Sequence, residues 1–163
     1  MTNLRGDAGD TGFIGAARSA LGYALPIEAN TVTEGQGSRA LWLGPDEWLI
    51  VSEAGASPLG ALRQALSGRH VAVTDVGDAR GVIALGGPHA REVLKKGSPL
   101  DVHPRAFGPM RCAQTRLSKL AALVEQRDDS PVFDIYVIRS ATRFLWRWLE
   151  DAAAEYGVAV VRG

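Results

Sequence analysis

The chain has 163 residues, 46% of them apolar, 22% charged and 7% aromatic, a composition that excludes disordered, collagen-like and membrane-embedded classes. Eighteen basic residues balance eighteen acidic ones, so no overall field draws the protein to nucleic acid or anionic lipid. One cysteine excludes an internal disulfide and no local spacing assembles a zinc site; with neither an apolar leader nor an 18-residue apolar run in the sequence, a soluble, cytoplasmic protein is expected.

Periodicity predicts alternating strands and short helices. The first strand is reduced to little more than "NLRG". "TGFIGAARSALG" follows as a helix using Ile14, Ala17 and Leu21 and ending at Gly22. Strands are expected at 39–44 and 47–52, joined through the turn chemistry of "LGPDEW". "ASPLGALRQALSG" is a helix with Ser57 as N-cap, Pro58 at the first helical position, an inward stripe of Leu59, Leu62 and Leu66, and Gly68 as its stop. Strands at 70–76 and 80–86 precede a second proline-opened helix, "GGPHAREVLKKG", with Pro88 first, Ala90, Val93 and Leu94 inward and Gly97 closing. Strands at 111–117, 121–126 and 133–139 follow, the last two joined by "QRDDSPVF". The final helix, "SATRFLWRWLEDAAAEYG", runs from a Ser140 cap to Gly157, and "GVAVV" (157–161) closes the chain's pattern as a strand.

The two halves repeat one order: strand, short helix, proline-containing loop, antiparallel pair, second helix, return strand. This predicts an internal duplication with pseudo-repeats at about 3–76 and 80–161 in a single α+β domain, antiparallel-rich sheet with packed helices. Residues 1–80 carry 6 basic and 9 acidic groups and residues 81–163 carry 12 and 9, a mild charge asymmetry.

Catalytic chemistry finds little support. "GDTGFIG" follows a polar segment and matches neither a dinucleotide fingerprint nor a P-loop, and "GGPHA" is read as a tight strand-to-helix turn. His70, His89 and His103 are far apart and no G-x-S-x-G elbow supplies a nucleophile. Cys112 lies in a strand, where a lone cysteine behaves as a small buried hydrophobe. Asp128 and Asp129 sit at a hairpin tip, and Asp134 on the polar face of a half-buried strand; none forms a converging acid/base pair.

On the final helix, Leu145, Trp148, Leu149, Ala152 and Tyr156 form one face, with Phe144 and Trp146 at its edges, so the apolar arc is wider than covering one sheet requires. Either the helix is set deep in its own fold or a second protein covers one edge, with Arg143, Trp146 and Arg147 as anchors of the type enriched at hot spots. Trp42 and Trp48 flank "LGPDE" as further candidates. His103, Arg105 and Phe107, on the proline-stiffened stretch "GSPLDVHPRAFGPMRCAQT", complete the candidate interface set.

"ALWLGPDEWLIVS", "LGGPHAREVLKKGSPLDVHPRAFGPMRCAQT" and "RSATRFLWRWLEDAA" together resemble the gamma-subunit family of heterotetrameric sarcosine oxidase, from about Gly12 to Tyr156. More distantly, "GPHAREVLKKGSPLDVHP" resembles the folate-binding domain of glycine-cleavage aminomethyltransferases. The resemblance implies a reduced aminomethyltransferase-like fold and a non-catalytic structural role beside alpha, beta and delta subunits in a complex that oxidatively demethylates sarcosine to glycine. It places FAD, FMN, NAD, tetrahydrofolate and zinc on the other subunits. The sequence departs from the family's "GCP" at Ser98, and "LSKLAALVEQRDD" lacks the glycine-and-aspartate stretch that carries the aminomethyltransferase carboxylate. A stand-alone folate-binding or aminomethyltransferase-like enzyme is the alternative.

Overall fold

The computed structural model describes residues 1–53 and 55–161. The chain divides into two compact units, Met1–Asp78 and Ala79–Gly163.

In the first unit the element order is β1 (Thr2–Arg5), α1 (Thr11–Leu21), β2 (Val32–Gly35), β3 (Ser38–Gly44), β4 (Glu47–Ser52), α2 (Leu59–Ala65) and β5 (Ala72–Asp75). The five strands form one antiparallel sheet in the order β2-β3-β4-β1-β5. Asp10 caps α1 by accepting from the Gly12 N–H at 2.8 Å, and Gly22, at φ 80, stops it in the left-handed conformation that glycine enters without penalty. The buried stripe of α1 is Phe13, Ala17 and Leu21, with Ile14 only partly covered. Phe13, rather than the expected Ile14, meets Trp48, their ring centroids 5.7 Å apart. Leu4, Ala40, Trp48, Ile50, Leu62 and Leu66 complete this core. Leu4 thus makes a real strand of a segment whose sequence offers one aliphatic side chain.

β2 has no counterpart among the expected strands. Its residues "VTEG" carry a single buried aliphatic, Val32, and the hairpin to β3 depends on Gln36 and Gly37 at φ 49 and 74. α2 begins one residue later than its proline suggests: Pro58 stands at the N-cap and the Leu59 N–H donates to Ser57 Oγ at 3.5 Å.

The second unit runs β6 (Arg80–Leu85), α3 (Ala90–Lys95), β7 (Arg111–Leu117), β8 (Leu120–Gln126), β9 (Phe133–Ile138) and α4 (Thr142–Ala153). Its four strands are antiparallel in the order β6-β9-β8-β7. Val93, Leu94, Val124, Phe133, Ile135, Leu145 and Leu149 lie in its core. Gly97 lets the α3 exit pass directly under Trp148: a β-carbon there would stand 2.4 Å from the indole ring.

Three local expectations are corrected. α3 starts at Ala90 with His89 at its N-cap, two residues after Pro88. Ser140 does not cap α4; Arg139–Ala141 forms a 3-10 turn, and Ala141, with no side-chain acceptor, stands at the cap. The segment 157–161 is not a strand: it joins no ladder, and Val158 and Val160 are about half exposed. Small aliphatics alternate there, but no neighbouring strand supplies the hydrogen bonds that would hold them in a sheet.

Candidate partner-binding surfaces

α4 buries Leu145, Leu149, Ala152 and Ala153, half-buries Thr142 and Trp148, and exposes its other side chains. The three anchors expected to act together are divided between its two sides. Arg143 and Arg147 border a shallow groove with Ser140, Phe144, Trp148 and Asp151. Trp146 faces the opposite way, into a cleft shared with β6 and with residues Gly157–Val160. Phe144 and Trp146 remain 47% and 37% exposed, so each side of the helix offers water one large aromatic edge. Tyr156, placed by periodicity on the buried face, lies instead in a 3-10 turn beyond the helix and is as exposed as Trp146.

The other candidates separate by burial. Trp48 is wholly buried and its indole N–H donates to the Pro26 carbonyl at 2.7 Å, so it holds the 23–31 loop against the sheet and cannot contact a partner. Trp42, its register partner, is half-buried at the sheet end. Phe107 is also buried, stacked at 6.4 Å on Phe133. His103 and Arg105 are exposed, the His103 Nδ1 accepting from the Arg105 N–H at 3.2 Å.

What rigidifies the 98–110 loop is a residue that motif reading passes over. Arg91 of α3 donates to the Val102 carbonyl, to the Phe107 carbonyl at 3.0 Å and to Gln126 Oε1 at 2.8 Å, and its guanidinium lies 5.1 Å from the Phe133 ring centre. Burial lowers its pKa from the ordinary arginine value, yet guanidinium remains charged at any physiological pH. Ser98, standing at the "GCP" cysteine position, bonds Thr115 Oγ1 at 3.2 Å and accepts from the Leu100 N–H. No sequence signal marks Arg91, because its partners are two backbone carbonyls 11 and 16 residues away, the Gln126 amide and the Phe133 ring.

A second corner joins α3 to α4. Lys96 donates to the Ala152 carbonyl and to Glu155, and its ammonium lies 4.9 Å from the Tyr156 ring centre, while His89 stacks on that ring at 4.4 Å. The hydrogen bond and charge of Lys96 hold the Glu155 carboxyl below the ordinary glutamate value. In the first unit, burial raises the Tyr23 phenol, partly offset by its bond to Ser38 Oγ at 3.0 Å.

Asp134 is buried rather than half-exposed, and Arg127 Nε lies 3.2 Å from its Oδ2. Glu125, opposite Asp134 in the ladder, accepts from the Tyr136 hydroxyl at 2.6 Å. Asp128 holds the hairpin tip through Ser130, and Cys112 is fully buried. Among the described residues no group of three His, Cys, Asp or Glu side chains is placed to hold a metal ion, and no helix is long and apolar enough to cross a membrane.

This α+β fold is shared with the glycine cleavage system aminomethyltransferase T from Bartonella henselae, which superposes with a TM-score of 0.65 at 16% identity, over 91% of this chain and 42% of that one. A profile of the sarcosine oxidase gamma subunit family matches residues 5–155, and the chain belongs to that family. It is 36% identical to the sarcosine oxidase subunit gamma of an Arthrobacter species over 90% of this chain and 72% of that one. With the Corynebacterium sp. U-96 gamma subunit it shares 36% identity over 97% of this chain and 77% of the relative. A chain in the solved heterotetrameric sarcosine oxidase of strain U-96 superposes with a TM-score of 0.89 at 35% identity, over 99% of this chain and 82% of that one.

Proposed function

We propose that this chain is a non-catalytic structural subunit of a cytoplasmic heterotetrameric sarcosine oxidase, bracing alpha, beta and delta subunits in a complex that oxidatively demethylates sarcosine to glycine. The carrying observation is 36% identity to a sarcosine oxidase gamma subunit across 97% of the chain. The exposed aromatics and arginines of α4 support a docking role, being of the kind that carries binding energy when a partner desolvates them. On this reading the flavins, NAD, folate and zinc belong to the other subunits, and this chain's polar side chains fasten loops and helix ends.

Co-expression of the tagged chain with the three larger-complex partners tests it. Recovery of a stoichiometric four-chain complex with sarcosine-dependent peroxide formation is expected, and a chain that stays separate from the other three rejects the proposal. The fold likeness to an aminomethyltransferase gives folate binding a specific alternative. Calorimetric titration of the isolated chain with tetrahydrofolate decides between them: no heat of binding is expected, and tight binding favours the folate reading.

A further inference from the structure

We infer that the Arg143–Arg147 side of α4 is the docking face for an acidic segment of a partner subunit, which sets two carboxylates on the arginines and an apolar side chain on Phe144 and Trp148. The inference rests on the subunit reading above and specifies the chemistry of one of its contacts.

The side chains lie in one stripe. Ser140, Arg143, Phe144, Arg147, Trp148 and Asp151 recur at helical spacing and line a shallow groove of about 670 Å³. Its floor is fixed, because Trp148 is half-buried with its ring packed against Gly97 at the exit of α3. Beside it Phe144, 47% exposed, is the most exposed aromatic side chain among the described residues, and it has no polar atom to offer water.

Charge selects the occupant. Arg5, Arg69 and Arg127 each find a carboxylate of this chain, at 3.0, 3.4 and 3.2 Å. Arg143 and Arg147 pair with none among the described residues, although Asp151 stands one turn beyond Arg147. Both also work against the helix that carries them. The first turn of α4 has no acidic residue and no side-chain cap, so the charge of Arg143 adds to the positive end of the helix dipole. Arg147, one turn on, repels it. Two carboxylates from a partner remove both conflicts, and each guanidinium fork holds its carboxylate in a fixed geometry. An apolar side chain of the same segment covers Phe144, completing the arginine-and-aromatic combination that carries binding energy at interfaces. A basic segment is repelled by the arginine pair, and Asp151 at the far end of the groove marks where the acidic run stops.

Competitive incorporation tests the role of charge. Variant and wild-type chains with different tags are co-expressed with the partner subunits, and the purified complex is assayed for each tag. The double variant Arg143→Glu, Arg147→Glu is expected to enter the complex at no more than about a tenth of the wild-type level, with Arg143→Gln, Arg147→Gln intermediate. Amide exchange in peptides of β8 and β9 reports that both variants keep the fold. The occupant itself is read in the otherwise wild-type complex by placing a photo-crosslinking benzoyl-phenylalanine at position 144 and sequencing the peptide it captures. That peptide is expected to belong to a partner subunit and to carry a pair of acidic residues beside the attachment point. Wild-type incorporation of the glutamate double variant overturns the inference while leaving the subunit reading intact. So does capture of a second copy of this chain, of a peptide without acidic residues, or of nothing. A wild-type chain that never enters the complex removes the subunit reading and this inference with it.

Discussion

At Lys96 one ammonium group meets a backbone carbonyl, a carboxylate and an aromatic face, so a single side chain ties the end of α3 to the end of α4. Because the Glu155 carboxyl titrates below its unfolded value, the pairing contributes stability above the ordinary glutamate pKa and loses it as pH falls through the lowered folded one. An NMR titration of the Glu155 carboxyl is expected to show that lowered midpoint, and Lys96→Met to return it to the ordinary range. Gly81 makes a sharper steric case. A β-carbon there would stand 2.0 Å from Thr142 Oγ1, a buried hydroxyl with no hydrogen-bond partner. Gly81→Ala should cost about 1–3 kcal/mol in urea denaturation, and less in a Thr142→Ala background, the coupling expected of two residues that share one space. Thr142→Val alone should be neutral or slightly stabilising, since it replaces an unpartnered hydroxyl with a methyl. At this scale the sequence reveals residue type and leaves contact hidden: Trp48 and Trp146 look alike as candidates in the string. One is clamped to Pro26 in a core and the other faces an open cleft, because burial depends on elements remote in sequence.

Among the elements, the 98–110 loop shows how a segment without regular structure becomes a rigid part. Its carbonyls at 102 and 107 converge on Arg91, whose planar fork reaches both together with Gln126. Arg91→Met should destabilise the second unit by about 2–4 kcal/mol in a denaturant titration and raise exchange across 100–110, by leaving partly buried carbonyls unsatisfied. Arg91→Lys should recover little of this, because an ammonium cannot span three acceptors as the guanidinium does. Several elements were legible: β4 and β7 match their expected limits, and α1 and α3 end just before the glycines expected to close them, whereas α4 stops at Ala153, short of its expected stop at Gly157. The misses share a cause. β2 is a four-residue strand whose pairing comes from a neighbour already in the sheet, whereas among the described residues 157–161 has strand composition but no neighbour to pair with. Strand identity is a property of the ladder more than of the segment.

Over the whole molecule, the repeated element order is visible in the string, since helices and hairpins recur at matching intervals. The sheet orders, read in the same sense, are β2-β3-β4-β1-β5 and β7-β8-β9-β6. What could not be read is the difference between them, one sheet having a fifth strand and the other an open edge. In the five-stranded sheet the first strand of the chain is not at a border but lies between β4 and β5, whose paired residues are more than 40 and 65 positions away. The order of folding follows. The β3–β4 hairpin closes over a two-residue turn at little entropic cost, while β1 waits for partners that a ribosome delivers much later. Pulse-labelled exchange should find amides of β3 and β4 protected before those of β1 and β5. Leu4→Ala should accelerate unfolding more than it slows refolding, as expected for a side chain that locks into place after the rate-limiting step.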